Sequence, residues 1–159
     1  MVNSGEAIVI HCADTPNGDH SYDQYDVNSW HAKRGFKRQA IVSLRGVTNP
    51  WLPHIGYHSL ILMDGTEVPG RDQKEMGAHC KGMNDKAWGV CMMGRTEFTL
   101  AQWDTLAFVI ERWMALGAKS VFGHREIDRG IGNKKTCPGF DVQKWLAGGK
   151  KPLEGHIHA

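Results

Sequence analysis

Three side chains in this sequence are of the types that hold a catalytic metal: His11, His124 and Cys137. His11 closes the apolar run "AIVIHCA", His124 follows "SVFG", and Cys137 ends a glycine-rich, charged loop that reads "REIDRGIGNKKTC". Zinc accepts imidazole nitrogen and thiolate sulfur, and a catalytic site keeps three protein ligands while a fourth position stays open for water. Such a centre brings the pKa of its water to about 7 and polarises a carbonyl, which suits hydrolysis of an amide or an ester. Spacing alone leaves a second reading open. The chain has nine histidines, and one at a strand end is more often a hydrogen-bonded structural residue than a ligand.

The two histidines can meet only if their strands are central in one sheet and point the same way. "AIVIHCA" is a β-branched run that stops at "DTPNGD", as a buried strand would. "DVNSWHAKRG" predicts a short helix capped by Asp26, with Val27, Trp30 and His31 on one face and Gly35 as its stop. "GYHSLILMDGTEV" predicts a hairpin turning at Asp64-Gly65, which Tyr57 enters. "WGVCMMG" is another strand. "TLAQWDTLAFVIERWMALG" carries a capping box in Thr99 and Gln102, apolar residues at helical spacing, and Gly117 as its end. "SVFG" is a strand, and Asp141 caps a last short helix. This order predicts an α/β fold: one domain with a central mixed sheet flanked by helices.

Composition bounds the function. The 159 residues fit a single domain, with 41% hydrophobic and 23% charged side chains and no run long enough to span a bilayer. Nineteen basic and 17 acidic residues are scattered to a net charge of +2, so no nucleic-acid signature is present and a mixed solvated surface is expected. The N-terminus does not read as a secretory signal, so synthesis in a cytoplasm is the expectation. Cys12, Cys80, Cys91 and Cys137 are too few and irregular for a disulfide scaffold, and Cys12, Cys80 and Cys91 read as reduced core residues. Residues 148–159 lack periodicity and read as a flexible tail behind a catalytic unit over 1–147. Within that tail His156 and His158 make a poorly anchored pair.

Five blocks carry a resemblance. "IVIHCADT", "IGYHSLILMDGTEVPGRD", "GAHCKGMNDKAWGVCMMG", "GHREI" and "KKTCPGFDV" fall in order over most of the chain, and together they are similar to the zinc N-acetylmuramoyl-L-alanine amidases related to phage lysozymes and peptidoglycan-recognition proteins. That resemblance implies a sheet with a zinc groove at one edge and hydrolysis of the bond between muramic acid and the L-alanine of the stem peptide. It implies an endolysin of phage or prophage origin that acts on the wall after crossing the inner membrane. The partner is then peptidoglycan, with no membrane insertion, and a monomer is expected.

Residue by residue, the resemblance makes His11, His124 and Cys137 the zinc ligands. Tyr57 and Lys135 match positions that assist catalysis, Lys135 as a cation beside the developing oxyanion and Tyr57 as a hydroxyl that orients water or passes a proton. Glu126 is a carboxylate close in sequence to His124 that could take the proton or stay solvated. Arg71, His79 and Asn84 would line the cleft and meet sugar or peptide, His79 by donating to a peptide carbonyl. The stretch 37–56 is an insertion relative to compact relatives, in which Lys37, Arg38, Arg45 and Trp51 would extend the groove wall. Two other readings share the fold: a binding module without catalysis, and a cytoplasmic enzyme that recycles wall fragments.

Overall fold

The computed structural model describes residues 2–38 and 49–159. Among the described residues, five strands form one mixed sheet in the order β3-β2-β4-β1-β5. They are β1 (Ala7–Cys12), β2 (Ser59–Ile61), β3 (Glu67–Pro69), β4 (Ala87–Met92) and β5 (Ser120–Gly123). β1 runs parallel to both β4 and β5, β2 runs parallel to β4, and only β3 pairs antiparallel, across its hairpin with β2. Every residue of β1 and β4 is buried. Strands covered on both faces read as continuous apolar runs, which is how the sequence shows them.

Side chains alternate across the sheet, and the two faces have separate cores. Ile8, Ile10 and Cys12 of β1 join Val90, Met92 and Val121 against Trp103, Leu106, Ile110 and Trp113 of helix α2 (Leu100–Ala115). Helix α4 (Val142–Ala147) adds Val142 and Trp145 to the same layer. The opposite face receives Ala7, Val9 and His11 of β1. There Val27 of helix α1 (Gln24–Lys33) packs with Leu52, Ile55, Leu60, Cys91 and Met93. Cys12 falls on the α2 face, as alternation predicts, and all four cysteines are free thiols.

The caps of α2 and α4 match expectation. Thr99 and Gln102 form a reciprocal box at the first, and Asp141 accepts from the Lys144 N–H at the second. At α1 the structure differs. Asp23, not Asp26, is the cap: its side chain accepts from the N–H groups of Tyr25 and Asp26, and Asp26 reaches back to the N–H of Asp23. Asp26 is thus the returning member of a capping box, and the helix gains nearly one turn. A short helix α3 (His124–Ile127) follows β5 directly.

The last residues also differ from the flexible tail expected. Phe98 and Ile157 form a parallel bridge, the Phe98 N–H donates to the His156 carbonyl, and the His158 N–H donates back to Phe98. Trp103 Nε1 donates to the same His156 carbonyl. A segment without periodicity of its own is held by backbone groups that α2's N-terminus leaves available. Among the described residues no helix is long and apolar enough to cross a membrane.

Candidate metal centre

His11 is the fifth residue of β1, and His124 is the first residue after β5. Parallel pairing matches Ile10 with Gly123, so both histidines lie one rung beyond a paired position, at the carboxyl edge of the sheet. Adjacent strands are about 4.8 Å apart, and the two imidazole centroids are 4.5 Å apart. The Cys137-Pro138 bond is cis, and the Cys137 carbonyl accepts from the Arg125 N–H at 2.9 Å. The sulfur of Cys137 reaches the same corner, 3.8 Å from His11 Nδ1, while the Cys12 N–H donates to it at 3.2 Å.

One nitrogen from each histidine and the Cys137 sulfur all lie within 4.8 Å of one another. A tetrahedral zinc with bonds of about 2.0–2.3 Å separates its donors by roughly 3.3–3.7 Å, so a small contraction closes the set. Two further observations fit a cation. His124 Nε2 is buried and has no hydrogen-bond partner, a cost that a ligand atom facing a metal does not bear. Burial, with the neighbouring His79 and His124, holds the His11 pKa well below its ordinary value, and burial with Lys135 nearby lowers that of His124 to about 4. Both rings are neutral at pH 7, the form that donates a lone pair.

The three donors open onto a groove of about 830 Å³ that Tyr57, His31, Asn84, Asp128 and Lys135 help to line. Tyr57 stands 5.1 Å from the His11 ring by centroids, and burial raises its phenol pKa well above the usual value, so it keeps its proton. Lys135 sits on the exposed lip with Nζ 2.5 Å from Asp128 Oδ2, and that carboxylate oxygen is 3.9 Å from His124 Nε2.

The remaining candidates are placed differently. His79 borders the groove, but its ring is already engaged: Nδ1 lies 2.9 Å from His11 Nε2 and Nε2 lies 3.1 Å from the Ala87 carbonyl. No nitrogen is left for a peptide carbonyl. Arg71 is buried and does not line the groove, because its guanidinium donates to the carbonyls of Ile55, Met76 and Lys37. Asn84 does line it, with Oδ1 accepting from the N–H groups of His79 and Cys80. Glu126 faces away, accepting from the Gly123 N–H and from Gln143, so the carboxylate nearest the centre is Asp128. Of the insertion, Arg38 is buried in an ion pair with Glu75, Lys37 and the exposed Trp51 are absent from the groove lining, and Arg45 lies outside the described residues.

Two groove residues escaped the sequence reading. Asp128 stands four residues after His124 on the same helical turn, a spacing that brings side chains together. His31 sits on the buried face of α1 with Nδ1 accepting from the Gly56 N–H, and its ring packs 5.1 Å from Tyr57. Its helical spacing marked it for burial but gave no sign that it borders the site.

Known proteins resemble this chain in sequence and in fold. The family model for N-acetylmuramoyl-L-alanine amidase matches residues 2–140. The endolysin of Escherichia phage T7 is 30% identical over 151 residues, covering 89% of this chain and 85% of that protein, and the endolysin of Enterobacteria phage T3 is 30% identical over 149 residues, covering 88% and 84%. Among solved structures, the N-acetylmuramoyl-L-alanine amidase LysC of Clostridium intestinale superposes with a TM-score of 0.70 at 21% identity, over 95% of this chain and 91% of that one. Drosophila PGRP-LB gives 0.65 at 21% identity, over 99% and 86%. Those two likenesses concern the fold, while the match over nearly the whole sequence settles descent: this chain belongs to the N-acetylmuramoyl-L-alanine amidase family.

Proposed function

We propose that this chain is a zinc-dependent peptidoglycan amidase of the endolysin kind, cleaving the bond between N-acetylmuramic acid and L-alanine, with the metal held by His11, His124 and Cys137. The observation that carries the proposal is the convergence of those three donors on an open groove, with His124 Nε2 buried and without a hydrogen-bond partner. A zinc ion there supplies Lewis acidity toward a carbonyl and a water whose pKa falls toward neutrality.

The chain's own residues do the rest. Lys135 presents an ammonium at the lip, where fixed positive charge favours the negative charge that develops on the lactyl carbonyl oxygen over the neutral amide. The Asp128 carboxylate holds that ammonium beside His124. Tyr57 keeps its hydroxyl proton and donates it as a hydrogen bond, orienting the attacking water or the departing nitrogen. The groove, at about 830 Å³, is the size of a ligand cleft.

A recognition module without catalysis shares the fold, and one solved neighbour of this shape is a mutant of Drosophila PGRP-LB in complex with tracheal cytotoxin. The complete donor set favours hydrolysis. A muropeptide-recycling role would use the same chemistry on smaller substrates. The test is clearing of permeabilised bacteria, with release of new L-alanine amino termini, before and after chelation and zinc restoration. Clearing that vanishes with the metal and returns with zinc supports the proposal. Full activity in the stripped protein overturns it, and wall binding without new amino termini points to the recognition module.

A further inference from the structure

The buried histidine behind the centre, His79, has a hydrogen-bond arrangement that admits only one assignment of protons. Its Nε2 faces the Ala87 carbonyl at 3.1 Å. A carbonyl only accepts, so Nε2 carries the ring's hydrogen. In a neutral imidazole the other nitrogen is then an acceptor, and His79 Nδ1 faces His11 Nε2 at 2.9 Å. His11 must therefore donate from Nε2, which leaves its lone pair on Nδ1, the nitrogen that looks toward the Cys137 sulfur.

The pocket around the His79 ring is shaped for it. A Cβ at Gly77 would fall 2.4 Å from His79 Cδ2, and one at Gly89 would fall 2.6 Å from Cγ. Neither glycine has a positive φ, so the backbone does not require glycine at either position and the space does. Asn84 fixes the loop by accepting the His79 N–H. His58 stands edge-on to the ring at 5.8 Å, and its Nδ1 accepts from the Gly89 N–H. Gly89 lies in the middle of β4, opposite Val9 in the register, so the sheet itself fixes one wall of the pocket.

We infer that His79 is a positioning residue: seated between Gly77 and Gly89, it accepts the Nε2 hydrogen of His11 and thereby selects the tautomer and ring orientation that present His11 Nδ1 to a metal. This deepens the zinc reading and rests on it, but the tautomer can be read without any metal. Partners of this kind behind a metal-binding histidine typically change affinity by about 10–100-fold when removed.

The experiment compares the parent chain with His79→Ala and His79→Asn, the latter returning an acceptor oxygen near the place of Nδ1. Zinc affinity is measured by chelator competition, and the His11 tautomer by long-range proton–nitrogen correlation in the metal-free protein. We expect the parent to show His11 protonated on Nε2. We expect His79→Ala to bind zinc about 10–100-fold more weakly with a mixed tautomer, and His79→Asn to recover most of both. A merely structural role predicts a lower unfolding midpoint with unchanged zinc affinity and tautomer in the folded variants, and that result overturns the inference. If His79→Ala fails to fold, His79→Asn and Gly89→Ala decide: an unmoved His11 tautomer in both rejects the role. A parent that binds no zinc removes the metal reading alone, since the tautomer measurement still tests His79.

Discussion

The floor and the lip of the groove are built in different ways. The floor is sheet: His11 is 2% exposed on a strand paired on both sides, His79 is seated between two glycines, and behind them His58 and the Arg38–Glu75 ion pair are buried. The lip is loop: residues 129–136 are all exposed, and Lys135 is held by a single carboxylate. His124 and Cys137 are the points where the two join. A metal site needs ligands fixed to a fraction of an ångström, which packed strands supply, while groups that meet a substrate must be open to it, which an exposed loop supplies. A substitution in the floor should therefore damage fold and metal together, while one in the lip should damage turnover alone.

The largest test asks whether the ligands depend on both regions. His11→Ala in the floor and Cys137→Ala where floor and lip join should each lose stoichiometric zinc, by elemental analysis, and fall to background activity; zinc kept by either would divide the site differently. Glu75→Ala removes the carboxylate that pairs with the buried Arg38 guanidinium and should cost about 3–5 kcal/mol of unfolding free energy in urea. A loss below 1 kcal/mol would show that the floor is less tightly built than its burial implies. Lys135→Ala should retain zinc and its unfolding midpoint while kcat falls about 100–1000-fold, the usual cost of one oxyanion-stabilising group. Parental turnover in that variant would remove the lip from the chemistry.

The smallest test is one of pH. Burial holds the His58 pKa at about 4, below its ordinary value of 6.5. Between those values the unfolded chain binds a proton at His58 that the folded chain refuses, so the contribution of this one ring to stability is complete above pH 6.5 and is lost as pH falls toward 4, by on the order of 3 kcal/mol. A ring resonance of His58 that titrates near 6.5 would contradict the burial of the floor.

The floor was legible in the sequence because strands announce themselves. "AIVIHCA" and "SVFG" gave the two histidines their places, and five ordered blocks tied Cys137 to them. What stayed hidden were the partners of polar side chains. Nothing in "GRDQKEMGAHC" distinguishes an arginine that meets substrate from Arg71, which serves three backbone carbonyls, or a groove histidine from His79, which turns toward His11. Such assignments depend on which loop folds over which strand. Cations in the insertion read as groove wall for the same reason, although Arg38 was claimed by a glutamate 37 residues away. The C-terminal segment read as loose because the hydrogen bonds that tie it to the body go to Phe98 and Trp103, about fifty residues away in sequence.

The separation of the two histidines is gauged by the hydrogen-bond ladder between β1 and β5, not by the hundred or so residues that run between them. Excursions of the intervening chain can therefore lengthen or shorten without disturbing the centre's dimensions. Two short parallel strands thus act as the ruler of this corner, whatever length of loop the groove walls carry.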